Sequence, residues 1–253
     1  MANLYFYTHP KNAFESWDFR NPDLYGIGNS ETSQIEMARR LAARGHKVIN
    51  YAPVPEDCPG IDRGVVWKHS DSATFREPGI WILYRCPKAI DNFIPRRPDQ
   101  EVWLVCQDED YQWSPEQEER VDWVIGLCKA HVEALERSHK PFKGKVRRSS
   151  NGCKAELVRE VLAEKHERNP KRLIYASSPD RALEPLLKAF QRAREFDPEL
   201  ELHVAYGFNN IDKVVRDNLS IPEEKRTLGA KNWLKWIEDL RSEERRVGKE
   251  CSE

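Results

Sequence analysis

The chain has 253 residues, enough for one large domain or two modest ones with a buried core. One third of its residues are charged, yet 41 lysines and arginines against 42 aspartates and glutamates leave a formal charge of -1, which argues against a dedicated nucleic-acid binder or a polybasic membrane anchor. No apolar run approaches the roughly 20 residues that cross a bilayer, and the six cysteines lack CxxC spacing, so free thiols in a reducing, cytoplasmic setting explain them better than disulfides or zinc.

Leu4 to Thr8 predicts a buried first strand, and Met1 to Tyr7 shows neither the basic region nor the cleavage site of a leader. A polar loop then ends in Leu24-Tyr25-Gly26-Ile27-Gly28-Asn29-Ser30-Glu31. From Ser30 onward, Ile35, Ala38, Leu41 and Ala42 recur on one helical face, with Asn29 or Ser30 as the cap and Gly45 as the stop. His46 to Tyr51 predicts a second strand, parallel to the first in a βαβ unit.

The runs Val65–Trp67, Ile80–Tyr84, Val102–Cys106 and Trp123–Leu127 are continuously apolar, as strands covered on both faces are. Trp67, Trp81, Trp103 and Trp123 lie within them and read as core, whereas Trp17 and Trp113, in polar loops, are better candidates to stack on a sugar ring. Cys86, Cys106 and Cys128 sit at or beside the ends of these runs and read as buried thiols. Segments 115–120 and 129–138 predict helices, and His131, beside Val132 and Leu135, reads as either a packing residue or a functional one. Asp108, Glu109 and Asp110 either orient a ligand or solvate a loop. Lys145 to Ser149 predicts a last strand, closed by the Asn151-Gly152 turn. A helix from Lys154 to about His166 carries Leu157, Val161 and Leu162 on one side, and Asn169-Pro170 ends it. A first domain over 1–168 follows.

The same grammar then restarts, with a strand at 172–176, a helix at 180–194 and a strand at 200–206, followed by helical patterns at 211–218 and 231–240. Between the first two lies Ala176-Ser177-Ser178-Pro179-Asp180-Arg181. A strand running through a small-residue turn into a helix aims free amides and the helix dipole at an anion. Arg181 adds a planar guanidinium suited to phosphate oxygens. Taken alone, these residues equally describe an ordinary βα turn with a surface arginine. Two parallel strands cannot cover their own faces and edges, so 169–240 reads as a partial domain. The run Arg241 to Cys251 resembles read-through translation of a sequencing-library adapter, and 241–253 is expected to be a non-native tail.

Together these stretches resemble a GT-B glycosyltransferase of the retaining group (glycosyltransferase family 4, or group 1-like) that includes sucrose- and glycogen-synthase-like enzymes. Gly26-Ile27-Gly28-Asn29-Ser30-Glu31-Thr32, followed by Leu41-Ala42-Ala43-Arg44-Gly45-His46-Lys47-Val48, is similar to that group's glycine loop and helix exit. Asn151-Gly152 resembles its "NG" turn, and Asn169 to Leu183 resembles the donor-domain opening of a subset with an "SSPDRGL" signature. The resemblance covers about residues 2–240. It implies an α/β fold of two Rossmann-like domains across a cleft, the first taking an acceptor and the second a nucleotide-diphosphate sugar. Transfer would proceed with retention, with no metal and no cofactor beyond the donor, through groups that stabilise the leaving diphosphate.

On this resemblance Gly26, Gly28, Asn29, Ser177, Ser178 and Arg181 bind the donor, with Arg181 in the place of a usual lysine and Gly28 admitting close approach. Gln107, Asp108, Lys129 and His131 lie on the acceptor side, and Asp108 and His131 are the catalytic candidates. The chain departs from the pattern at Ala176 for arginine, Asn29 for glycine, Gln107 for histidine and Cys128 for serine. The Glu-x₇-Glu donor segment is expected past residue 240, so the chain as given is expected to lack transferase activity. The acceptor class stays open among glycan, lipid and protein; a lipid acceptor would place the chain peripherally on a membrane. Alternatives are a GT-B epimerase or phosphorylase, or a non-catalytic nucleotide- or glycan-binding module.

Overall fold

The computed structural model describes residues 1–10, 16–24, 27–108, 113–139, 142–165, 167–179, 181–205, 215, 219–220, 222–225, 231 and 234–239. The expectations for Gly26, Glu109, Asp110, most of 211–218 and the tail 241–253 lie outside these residues. The chain divides into two compact units, Met1–Val158 and Arg159–Glu253.

Unit 1 is built on β1 (Asn3–Tyr7), β2 (Lys47–Ala52), β3 (Ile61–Asp62), β4 (Val65–His69), β5 (Gly79–Tyr84), β6 (Gln100–Val105), β7 (Trp123–Gly126) and β8 (Val146–Arg148). They form one sheet in the order β3-β4-β2-β1-β5-β6-β7-β8, parallel throughout except for the short edge strand β3. This is an α/β, Rossmann-like sheet. From β1 the chain winds outward to β2 and β4, then returns to lay β5 on the other side of β1. The crevice outside the carboxyl ends of β1 and β5 is therefore the topological switch point, where open α/β sheets bind ligands.

Helices α1 (Asn21–Leu24), α2 (Asn29–Ala43), α3 (Pro115–Arg120), α4 (Lys129–Ser138) and α5 (Ala155–Ala163) complete the described order to residue 163. Continuous apolar strands fit because both sheet faces are covered. Leu4 and Phe6 pack with Ile35, Ala38 and Val48, while Tyr5 and Tyr7 face Trp81, Leu83, Phe93 and Leu104. Tyr5 and Tyr51 stack on Trp81 at centroid distances of 4.7 and 5.7 Å. Gly79 opens β5 with φ +138, and a Cβ there would lie 2.5 Å from the Asn3 carbonyl oxygen, so only glycine permits the β1–β5 pairing at this point.

The β3 edge strand is held by Arg39. Its Nε donates to Asp62 at 2.6 Å, Nη1 to Glu36 at 3.0 Å and Nη2 to the Phe19 carbonyl at 3.3 Å, which satisfies a mostly buried guanidinium. Farther along, Ser114 and Gln117 form a capping box on α3, and Lys145 Nζ donates to the Val121 carbonyl just past its end. The apolar side of α5 carries Leu157, Val161 and Leu162 as expected, with Val158 beside them, and all four are exposed. Among the described residues no helix is long and apolar enough to cross a membrane.

Unit 2 contains β9 (Arg172–Tyr175), α6 (Leu183–Phe196) and β10 (Glu201–Val204), with β9 and β10 parallel. Leu183, Leu187 and Phe190 bury one face of α6 against Tyr175, Leu202 and Val204, while Ile174 on the opposite sheet face is exposed.

Candidate functional site

A polar cluster of unit 1 lies at the switch point. Gly28 is the N-cap of α2 and makes no side-chain cap, so the expected capping by Asn29 or Ser30 is not what forms. Instead the Glu31 carboxylate folds back over Gly28, where an added Cβ would meet Glu31 Oε2 at 2.3 Å. A carboxylate placed there answers the positive end of the helix dipole. Ser30 Oγ donates to the same oxygen at 2.9 Å.

Arg85, one residue past β5, joins this helix start to the end of β6. Its Nη1 donates to Ser30 Oγ at 3.1 Å and lies 3.8 Å from Glu31 Oε1, while its Nε donates to Asp108 Oδ2 at 2.7 Å. Arg85 adopts φ +54, a left-handed conformation that costs a non-glycine residue free energy and turns its side chain back over the strand ends. Behind it, Thr8 Oγ1 donates to Gln34 Oε1 at 2.6 Å, and Gln34 Nε2 donates to the buried Asn50 Oδ1 at 2.7 Å. Thr8, Ser30, Glu31, Gln34, Tyr84 and Arg85 enclose a cavity of about 10 Å³. Burial pushes the Tyr84 phenol up to about 12, so it stays neutral.

Beside this cluster, Gln107 Nε2 reaches Asn151 Oδ1 at 3.5 Å, the outer limit of a hydrogen bond. Lys129 is exposed and lies 3.8 Å from Glu133, one turn along α4. His131 is buried; its Nδ1 accepts from the Leu127 amide at 3.2 Å and its Nε2 is buried without a partner among the described residues. The two strand-end thiols are inert. Burial pushes Cys86 up to about 12 and raises Cys106 as well, whereas Cys128 is exposed rather than buried as expected.

In unit 2, Ser177 and Ser178 are half-buried and Arg181 is exposed. The Arg181 amide donates to the Ser178 carbonyl at 2.8 Å, and Ala182 follows in the left-handed conformation at φ 70 and ψ 27. The helix thus begins at Leu183, and Arg181 belongs to the preceding turn rather than to the first helical turn that the sequence suggests.

Trp17 is only 3% exposed and packs edge-on against Trp67, so it offers no stacking surface. Trp113 packs edge-on against Phe142 and donates its indole N–H to His139 Nε2 at 2.9 Å; His139 Nδ1, which then carries the ring proton, meets Glu118 at 2.5 Å. Among the described residues no three His, Cys, Asp or Glu side chains are grouped to hold a metal ion.

Sequence reasoning singled out Gln107, Asp108 and Gly28, which lie in or beside this cluster, and Asn29, the first residue of α2, but not Arg85, Ser30, Glu31, Gln34 or Thr8 as site residues. One signal was available for Arg85: an arginine ends an apolar run that predicts a parallel strand, the place where such sheets carry function. The chain matches no family model, and no curated protein matches it.

Proposed function

We propose that the chain is a retaining glycosyltransferase of the GT-B kind, in which unit 1 takes the acceptor and unit 2 takes a nucleotide-diphosphate sugar. One observation carries this reading. In unit 1 the glycine loop from Gly28 and the Asn151 turn, on which the family resemblance rests, and Gln107-Asp108, where the chain departs from the family pattern, are linked beside the switch point through Arg85 and Gln107. Convergence of residues this distant in sequence at the ligand-binding end of an α/β sheet is what a substrate site requires.

In this reading the diphosphate is gripped by Ser177, Ser178 and Arg181, through backbone amides, hydroxyls and an exposed guanidinium. Asp108 is the acceptor-side carboxylate; the Arg85 Nε bond orients it to accept an acceptor hydroxyl's hydrogen bond. Gln107 binds a sugar hydroxyl rather than moving a proton, since an amide neither gains nor loses one near neutral pH. No metal and no cofactor besides the nucleotide sugar is called for, and a cytoplasmic setting suits the free thiols of Cys86 and Cys106.

Isothermal titration of the chain with UDP-, ADP- and GDP-hexoses, followed by a sugar-transfer assay with the donors that bind, tests the proposal. Binding that is lost in Arg181→Ala at unchanged melting temperature supports it. Absence of binding by every nucleotide sugar refutes it. Nucleotide-sugar binding that survives Arg181→Ala unchanged would instead favour a non-catalytic nucleotide- or glycan-binding module, the second reading, to which the tethering of Asp108 by Arg85 lends weight.

A further inference from the structure

Residues 149–154 join β8 to α5 and belong to neither helix nor strand, and Asn151 and Gly152 within them are exposed. These two form the chain's one Asn-Gly pair. An asparagine side-chain carbon and the backbone nitrogen of the next residue can close a five-membered ring. A glycine in second place has no Cβ to obstruct that closure.

Among the described residues the fold leaves both reacting groups free. The Gly152 amide, the nucleophile, has no acceptor, and a Cβ built on Gly152 meets no atom within 4 Å. The Ser149 amide is tied to the Gly126 carbonyl at 2.8 Å, and the Lys154 carbonyl accepts from the Val158 amide at 3.1 Å. Between those two ties no backbone hydrogen bond fixes 150–153. The electrophile is held as loosely. Gln107 Nε2 stands 3.5 Å from Asn151 Oδ1, the outer limit of a hydrogen bond. It approaches the oxygen on which charge collects as the carbon is attacked, so this contact does not oppose the reaction. Other asparagines are restrained: Asn29 lies in α2, and Asn50 is buried in β2.

We propose that Asn151 is a site of spontaneous deamidation, through which the chain gains a carboxylate beside Gln107 as it ages. The Gly152 nitrogen gives its proton to water and attacks Asn151 Cγ. The N–Cγ bond forms, the Cγ–Nδ2 bond breaks, and the amide nitrogen leaves as ammonia. Water then opens the resulting succinimide. Hydrolysis at the Cγ–N bond gives aspartate; hydrolysis at the main-chain carbonyl gives isoaspartate, with one extra methylene in the backbone. Either product adds one negative charge. The unbonded backbone of 150–153 absorbs the longer linkage, so the fold persists. The reaction needs no ligand and stands apart from the transferase reading.

The test is incubation of the full chain at mildly alkaline pH, followed by peptide mapping with mass spectrometry. Two new forms of the peptide 149–154 are expected, each heavier by the difference between OH and NH2, with matching release of ammonia and an unchanged melting temperature. Conversion should come within about tenfold of the free synthetic peptide of the same sequence and run ahead of Asn29. Gly152→Ala has open space for its methyl group and should slow the reaction by about tenfold or more, the scale on which a displaced near-attack geometry costs rate. Asn151→Gln, whose longer side chain would need a larger ring, should abolish it. A folded chain that reacts far more slowly than the free peptide overturns the inference, because the fold then holds the pair apart. So does equal conversion at Asn29, or a rate unchanged by Gly152→Ala.

Discussion

The Tyr175 hydroxyl lies 2.6 Å from the Ser178 carbonyl and 2.7 Å from the Arg181 carbonyl, so one phenol spans the serine turn from the end of the strand before it. Tyr175→Phe removes this tie while keeping the ring packed on α6. We expect unit 2 to lose about 1 kcal/mol of stability, the usual worth of a hydrogen bond. The Arg181 amide, bonded across the same turn, should exchange its hydrogen faster. Amide exchange by mass spectrometry reads both effects, and unchanged protection of 178–182 would show that the turn holds without the phenol.

Ala182 occupies the position of the glycine in the "SSPDRGL" signature and pays the left-handed conformation with a Cβ. Ala182→Gly relieves that strain and also loosens the unfolded chain, so the net gain expected is about 1 kcal/mol or less. Urea unfolding followed through the helical signal of α6 is the measurement.

Gly79 allows no such freedom. Gly79→Ala combines a positive φ with a Cβ pressed against the Asn3 carbonyl, and a loss of about 1–3 kcal/mol is expected. A thermal melt of the variant indistinguishable from the parent would mean that β1 and β5 tolerate separation at this point.

Trp113→Phe keeps an aromatic ring against Phe142 but deprives His139 Nε2 of its donor. A loss of about 1 kcal/mol is expected from the missing bond. Adding His139→Phe should deepen the loss, because the buried Glu118 carboxylate then loses the Nδ1–H that it accepts. A double-mutant cycle in urea measures the coupling directly.

Acid should loosen unit 2 in a defined direction. Hydrogen bonding to Lys171 lowers the Asp197 pKa, Lys188 and then Trp236 lower that of Glu184, and Arg172 lowers that of Glu201. A depressed folded-state pKa means that the native state binds fewer protons than the unfolded chain, so stability rises with pH. The contribution is in place above the ordinary carboxylate range and disappears as pH falls through the depressed values. Unfolding midpoints should therefore drop between about pH 5 and pH 3, and E184Q should show a shallower decline.

Most of the strands were legible because a parallel sheet covered on both faces writes itself as uninterrupted apolar runs, such as Ile80–Tyr84 and Val102–Val105. β3 was not, since two residues with one apolar side chain carry no period and the strand depends on Arg39 holding Asp62. The helical period of α5 was read correctly, but period reports which side is apolar and not whether anything covers it. At the site, Gln107 and Asp108 stood out at the end of a strand. Arg85 did not, because its role arises from β5 lying beside β1, an order of strands that no local pattern encodes.

The Ser30–Arg85–Asp108 chain has a kinetic consequence. Its links join residues 55 and 23 positions apart, and both need β5 already docked between β1 and β6. Contacts of such separation close only after the intervening loops have surrendered their entropy. The ligand-ready arrangement is thus among the last features to appear as a nascent chain matures, and an environment-sensitive probe near Asp108 would report completed molecules rather than partly assembled ones.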